Sequence, residues 1–211
     1  MKKNKGFFIS FEGGEGAGKT TLINNLQTSL EKKGFEVLVA REPGGTEFGE
    51  KVRSLLLESS FKMTAQAELC LFLASRSQHI SEKLRPALEE GKVVLCDRFN
   101  ESSIAYQGAG RKMGMDLVSK ICETICNGFS PDLTFFLDIP PEKGLGRIEA
   151  KHDRIESEKQ SFHEKVRQGY LTLAQNDTRI VVIDATLSKE KVFEKAMEVL
   201  ENSYLSNSTT I

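Results

Sequence analysis

The chain has no excess of one charge sign: 29 Lys and Arg stand against 30 Asp and Glu, for a formal net charge of −1. That removes the broad basic footprint of a nucleic-acid binder and points to small anions as partners. No apolar run approaches the roughly 20 residues that cross a bilayer. Met1-Lys2-Lys3-Asn4-Lys5 leads into a short strand pattern rather than a signal-peptide core. No membrane partner and a cytoplasmic address are therefore expected. There are only four cysteines and three histidines, with no C-x-x-C pair, and His79, His152 and His163 are not at metal-ligand spacing from the cysteines. Cys122 and Cys126 lie four apart beside Ile121 and Ile125, on the apolar face of a helix, while Cys70 and Cys96 sit in other apolar segments. Buried, reduced thiols are the expectation. No internal repeat is present, so residues 1–205 read as one domain large enough for a sheet covered on both faces, and 206–211 as a polar tail.

What the chain does have is alternation. Apolar runs at Phe7–Phe11, Phe35–Ala40, Val93–Cys96, Thr134–Ile139 and Ile180–Ile183 are too continuous for half-exposed hairpin strands. Helical patterns lie between them at about Lys19–Lys33, Thr46–Leu57, Thr64–Leu84, Met115–Cys126 and Ser161–Ala174, with a last one at Lys189–Tyr204. Gly34 and Gly91 are placed to cap helices before strands. Repeated strand–helix units predict a parallel sheet with right-handed crossovers, and ligands then gather at the carboxyl ends of its strands.

The first run leads into Gly13-Gly14-Glu15-Gly16-Ala17-Gly18-Lys19-Thr20, which fits G-x-x-x-x-G-K-[ST] and precedes a helical pattern. Glycines let successive N–H groups turn toward phosphate oxygens, and the helix adds the positive end of its dipole. Lys19 is placed to reach β/γ-phosphates, and the Thr20 hydroxyl to hold Mg²⁺. The expected fold is α/β: a P-loop NTPase-type three-layer sandwich, with a five-stranded parallel sheet, helices on both faces and a small lid.

The other strand ends supply the rest of the site. After the second comes Arg41-Glu42-Pro43-Gly44-Gly45-Thr46, a turn that brings backbone close to a ligand, before a helix carrying Arg53. The third ends in Asp97-Arg98, a carboxylate that can orient Mg²⁺ and a guanidinium that can bridge two phosphoryl groups. Asp97 and Arg98 also fit a structural ion pair. On the helix Thr64–Leu84, Glu68, Phe72, Arg76 and His79 form one stripe. It reads either as a core aromatic among solvated charges or as a nucleobase site, with Phe72 for stacking and Arg76 for a carbonyl edge.

Asp97-Arg98-Phe99-Asn100-Glu101-Ser102-Ser103-Ile104-Ala105-Tyr106-Gln107-Gly108 resembles the thymidylate kinase signature D-R-[YFH]-x-x-S-[ST]-x-A-Y-Q-G. Arg41–Thr46, the Phe72 and Arg76 pair, Pro131–Thr134 and Asp153-Arg154-Ile155-Glu156 match the same family in order. The resemblance implies transfer of the γ-phosphoryl group of ATP to dTMP with Mg²⁺, by a protein that is usually a homodimer. It implies that Phe72 stacks on thymine, Arg76 meets a thymine carbonyl, and Pro43, Ser103 and Gln107 line the acceptor. Glu15 would accept from the 3′-OH and Tyr106 would pack where a 2′-OH would fit. Arg53 and Arg98 would hold the 5′-phosphate, while Glu12, Asp97 and Thr20 would organise the metal.

The resemblance also implies a lid, at about residues 144–159. Some members place Arg directly after the loop carboxylate, but here Gly16 follows Glu15, so the lid must supply the cation. Alignment through Gly144-Leu145-Gly146-Arg147 puts Lys151 where the bacterial branch has its clamping Arg, with Arg147 and Arg154 as the other candidates. Two alternatives stay open: another nucleoside monophosphate kinase, and a P-loop regulatory ATPase whose output is a partner interaction.

Overall fold

The computed structural model describes residues 6–58, 62–147 and 153–205. Five parallel strands, β1 (Phe7–Gly13), β2 (Val37–Arg41), β3 (Val93–Asp97), β4 (Leu133–Asp138) and β5 (Ile180–Asp184), form one sheet in the order β2-β3-β1-β4-β5. The order reverses beside β1, so the carboxyl end of that strand opens a crevice. β1 is buried from Phe8 onward between β3 and β4. The edge strands are less covered than their apolar runs imply, with Val39 41 % and Val182 45 % exposed, because an edge strand lacks a neighbour on one side.

Side chains alternate across β1. Ile9 and Phe11 join one core with Leu22, Leu26 and Leu30 of α1 (Lys19–Lys32) and with Val192 and Ala196 of α9 (Lys189–Leu200). Phe8, Ser10 and Glu12 face the other way. There Phe8 packs with Ile80, Leu84 and Cys126, and Ser10 shares a 2.8 Å hydrogen bond with Thr134. That second layer contains α2 (Glu47–Leu57), α3 (Ala65–His79), α6 (Met115–Cys126) and α8 (Gln160–Asn176).

The helical pattern from Thr64 does not stop at Leu84. α3 passes through a π-helical turn, Ile80–Leu84, into α4 (Arg85–Glu89), with Pro86 in the first turn where a missing N–H does no harm. The signature segment is itself helical: α5 (Asn100–Ser103) continues as a π-helical stretch, Ile104–Gly110. A short α7 (Pro141–Leu145) follows β4. Cys96, Cys122 and Cys126 are buried and free as expected, but Cys70 is exposed on the outer face of α3. The polar tail beyond Leu205 lies outside the described residues.

Candidate active site

The P-loop helix starts differently from its neighbours. Thr46 caps α2 by accepting from Gly49 N at 2.9 Å, and Thr64 caps α3. Gly18 leads α1 at φ 92 with no side-chain cap and no acid in the first turn. Its first-turn N–H groups thus remain available to an anion. They face a cavity of about 1200 Å³ lined by Glu15–Thr20, Arg53, Asp97, Arg98 and Arg147. Lys19, 8 % exposed, reaches, among the described residues, only its own loop carbonyls, Gly13 O at 3.4 Å and Gly14 O at 3.2 Å. Burial and the neighbouring Arg98 lower its pKa, against Asp97 and Glu15.

Two groups there suit a divalent cation. Thr20 Oγ1 donates to Asp97 Oδ2 at a long 3.4 Å, and Asp97 Oδ1 is buried with no hydrogen-bond partner among the described residues. An orphaned carboxylate oxygen beside a hydroxyl is the hard-oxygen set that Mg²⁺ takes. Glu12 does not belong to this set. On the opposite face of β1, its Oε1 accepts from Phe99 N at 2.6 Å, and its Oε2 from Ser102 Oγ at 2.5 Å and Tyr170 OH at 3.0 Å. Strand alternation turned it inward, and burial raises its pKa.

A second, smaller pocket of about 140 Å³ opens beside the first. Every residue the resemblance assigned to the acceptor lines it: Glu15, Pro43, Arg53, Phe72, Arg76, Arg98, Ser103, Tyr106 and Gln107. Glu15, Glu42, Arg53 and Arg98 line both cavities, so the two ligands would meet there. Arg98 has φ 74, an uncommon backbone for a non-glycine. Its guanidinium donates to Gly13 O at 3.0 Å and Glu15 Oε1 at 2.7 Å, and lies 5.0 Å above the Tyr106 ring. Tyr106 OH donates to the same Glu15 oxygen at 2.8 Å. Burial would raise the Glu15 pKa, but Arg98, Lys19 and Tyr106 together hold it at about 2.

The stripe on α3 faces inward, charges included. Arg76 is 1 % exposed and donates from Nε to Glu42 Oε2 at 2.5 Å, from NH1 to Asn100 Oδ1 and Ser103 Oγ, and from NH2 to Phe99 O. These bonds use four of its five N–H groups, and the Cys122 thiol is a further hydrogen-bond partner. His79 Nδ1 lies 3.2 Å from Glu42 Oε1, and with Cys96 Sγ these ligand atoms fall within 4.8 Å of one another. Spacing along the chain gave no hint of that cluster. It is poorly suited to a metal, since Arg76 holds Glu42 and burial pushes the Cys96 thiol up. Sequence reasoning also missed the Glu42, Ser102 and Tyr170 supports. A buried Glu in the Glu42-Pro43 turn was the one available signal.

Of the cations assigned to the lid, Arg147 alone touches the P-loop among the described residues. Its NH1 donates to Gly16 O and its NH2 to Ala185 O, both at 3.2 Å. Gly16 has φ +68, and a Cβ there would fall 2.0 Å from Gly144 O, so α7 occupies the space an arginine at 16 would need. Arg154 points elsewhere: Nε donates to Leu56 O at 2.9 Å and NH1 to Glu68 Oε2 at 2.6 Å. The pull of a buried carboxylate has made it an anchor in this structure rather than a phosphate ligand. Lys151 lies outside the described residues.

An uncapped phosphate loop and an acceptor pocket joined through Glu15 and Arg98 define the layout of a nucleoside monophosphate kinase. The thymidylate kinase family model matches residues 11–196, and the chain belongs to that family. It is 52 % identical over 214 residues to the thymidylate kinase of Protochlamydia amoebophila, covering 96 % of this chain and 95 % of that one. It is 48 % identical over 198 residues to that of Geobacillus thermodenitrificans, covering 91 % and 88 %. The crystal structure of thymidylate kinase from Ehrlichia chaffeensis superposes with a TM-score of 0.76 at 31 % identity, covering 93 % and 98 % of the two chains.

Proposed function

We propose that this chain transfers the γ-phosphoryl group of ATP to dTMP, giving dTDP and ADP. The observation that carries the reading is the junction of the two cavities at Glu15, Arg53 and Arg98, because direct transfer needs donor and acceptor phosphates in contact there. Gly13–Thr20 would cradle the ATP phosphates, and Arg53 and Arg98 the acceptor phosphate. Lys19 neutralises charge that grows on the transferring group, which is the larger part of what a protein supplies in this chemistry. Asp97 and Thr20 would hold Mg²⁺, which would supply positive charge against the phosphates. Glu15, ionised at any working pH, offers Oε2 to the sugar 3′-OH while Oε1 stays with Arg98 and Tyr106.

The base is read by Phe72, Arg76 and Gln107, which line the smaller pocket together. Cytosine would present an amino donor to Arg76, leaving two donors facing each other, and a purine is large for about 140 Å³. In a coupled assay of ADP release, dTMP is expected to exceed dCMP and GMP by at least about 10²-fold in kcat/KM. Equal use of dCMP or GMP would overturn the assignment, and ADP release that ignores every monophosphate would favour the regulatory ATPase.

The same reading makes residues 1–205 one catalytic unit working in the cytoplasm as a homodimer. Phe48 and Leu55 of α2 and Leu117 and Ile125 of α6 are each 46–53 % exposed, on helices that flank α3, and would supply an apolar contact. A sedimentation measurement showing only monomer at micromolar concentration would remove that part.

A further inference from the structure

Glu68 was noted in the sequence as one member of a stripe, and neither phosphate chemistry nor base stacking uses it. Its side chain is 2 % exposed, yet both oxygens are engaged twice. Oε1 accepts from Gln107 Nε2 at 2.8 Å and Arg111 Nε at 3.1 Å; Oε2 accepts from Arg111 NH2 at 3.1 Å and Arg154 NH1 at 2.6 Å. These partners come from two stretches of chain, each of which contributes residues to the wall of the acceptor pocket. Gln107 lies on the helical signature segment. Arg154 belongs to the turn whose Asp153, Ile155 and Glu156 line the same pocket, and it is tied a second time to Leu56 O of α2. Arg111 extends the network to Glu158 at the far end of that turn.

We propose that Glu68 is the positioning residue of acceptor recognition: a single buried carboxylate that sets which face of the Gln107 amide meets the base and pins the Asp153–Glu158 turn over the pocket. An ionised carboxylate only accepts, so the Gln107 NH₂ must turn toward it and the amide oxygen must turn away. Among the described residues nothing donates to that oxygen, so Gln107 presents an acceptor to the pocket it lines. An acceptor suits a base carrying an imide N–H and opposes a base whose ring nitrogen there bears a lone pair. With Glu68 neutral, the amide is free to rotate and present its NH₂, which would serve the second kind of base. Burial pushes the Glu68 pKa up, but Arg111, Gln107 and Arg154 outweigh it, so the group stays ionised through the working range. Two arginines and one amide on one carboxylate also fix the turn without help from a ligand, so the wall stands before the acceptor arrives.

This inference rests on the dTMP reading for its specificity half alone. Glu68→Gln keeps the shape and removes the charge. The expected result is a rise of about tenfold in KM for dTMP, with KM for ATP within about twofold. The dTMP to dCMP ratio in kcat/KM should fall by about tenfold or more. A merely structural Glu68 would lower both acceptors together; an unchanged ratio in a folded Glu68→Gln protein therefore overturns the specificity half. If that variant does not fold, Arg154→Met decides the other half through amide hydrogen exchange of the acceptor-free protein. Exchange at Ile155 and Glu156 should quicken at least about tenfold over the parent. Unchanged exchange there means the turn is held by something else and the pinning role is wrong. Should the parent protein prefer dCMP, the substrate reading fails while the exchange result still reports on Glu68 and Arg154.

Discussion

The two cavities that meet at Glu15 and Arg98 are built on opposite principles. On the phosphate side, helix α1 is uncapped, and among the described residues Lys19 makes only long contacts with its own loop and one Asp97 oxygen has no hydrogen-bond partner. On the acceptor side, Arg76, Glu42, Gln107, Glu68 and Arg111 are bonded to one another at short range inside the protein. The difference follows from what each ligand brings. A polyphosphate carries enough charge to organise cations and a metal around itself, so the protein leaves those groups poised. A pyrimidine offers a few weak polar edges and must find its partners already oriented. Mutations should therefore separate: the phosphate side governs rate with little stability, and the acceptor side governs stability as well as binding.

The largest expected effect tests the poised half. On the proposed role of Lys19, as the cation that meets charge growing in the transition state, Lys19→Ala should lower turnover by about 10³-fold or more. Its urea midpoint should hardly move, since the lost contacts are 3.2 and 3.4 Å bonds to loop carbonyls. A variant that lost stability in step with rate would erase the contrast. Next comes the pre-bonded half. Glu42→Ala strands a buried Arg76 guanidinium and should cost about 3–5 kcal/mol in equilibrium unfolding. Near-native stability would show that Asn100, Ser103 and Phe99 O suffice to hold Arg76.

A third pair divides the two lid-side arginines. Arg147→Ala removes two 3.2 Å bonds to backbone carbonyls beside the P-loop and should raise KM for ATP by about tenfold, leaving KM for dTMP alone. Arg154→Ala should do the reverse, because its partners, Glu68 and Leu56 O, belong to the acceptor wall. If Arg154→Ala lowered kcat with both KM values unchanged, Arg154 would be the transition-state cation that the resemblance allowed.

How much of this was legible in the sequence follows the same division. The P-loop could be read directly, since its chemistry is carried by backbone and by residues adjacent in the chain. The parallel sheet was legible too, because buried strands announce themselves as apolar runs; only the edge strands were judged too deeply buried. Phe72 and Arg76 could be offered as a nucleobase site from their stripe alone, but the rest of the acceptor lining could be named only through the family motif, and its supports escaped. Glu12 is an example. Next to the P-loop it suggests a metal ligand, but the two-residue period of β1 sends it to the opposite face, toward Ser102 and Tyr170, the latter separated from it by most of the chain. Glu68 escaped likewise, because a charged residue on a helix stripe looks solvated until the distant partner that buries it is known, and Arg154 was read as a lid cation because nothing in the sequence ties it to Glu68.

The smallest expected effect comes from Glu101, a buried acid of α5 without a full set of partners among the described residues. Glu101 is 8 % exposed, and among the described residues its Oε2 has no hydrogen-bond partner. Burial, reinforced by the nearby Glu12 charge, pushes its pKa up from 4.5 to about 7, against weaker help from Arg76 and Arg179. Between those two values the folded protein holds a proton that the unfolded chain has released. Stability therefore falls as pH rises through that window and levels off above about 7. The shift corresponds to about 3 kcal/mol at most, with Glu12, also raised by burial, adding in the same direction. Glu101→Gln cannot ionise, so the drop in unfolding free energy between about pH 5 and pH 8 should shrink by about 1–3 kcal/mol. Turnover at neutral pH should stay near that of the parent, since Glu101 lines neither cavity. Urea titrations of both proteins at the two pH values decide it. An unchanged slope would mean that Glu101 is ionised and satisfied in the folded state, and that the acceptor side is as fully bonded around α5 as it is around Arg76.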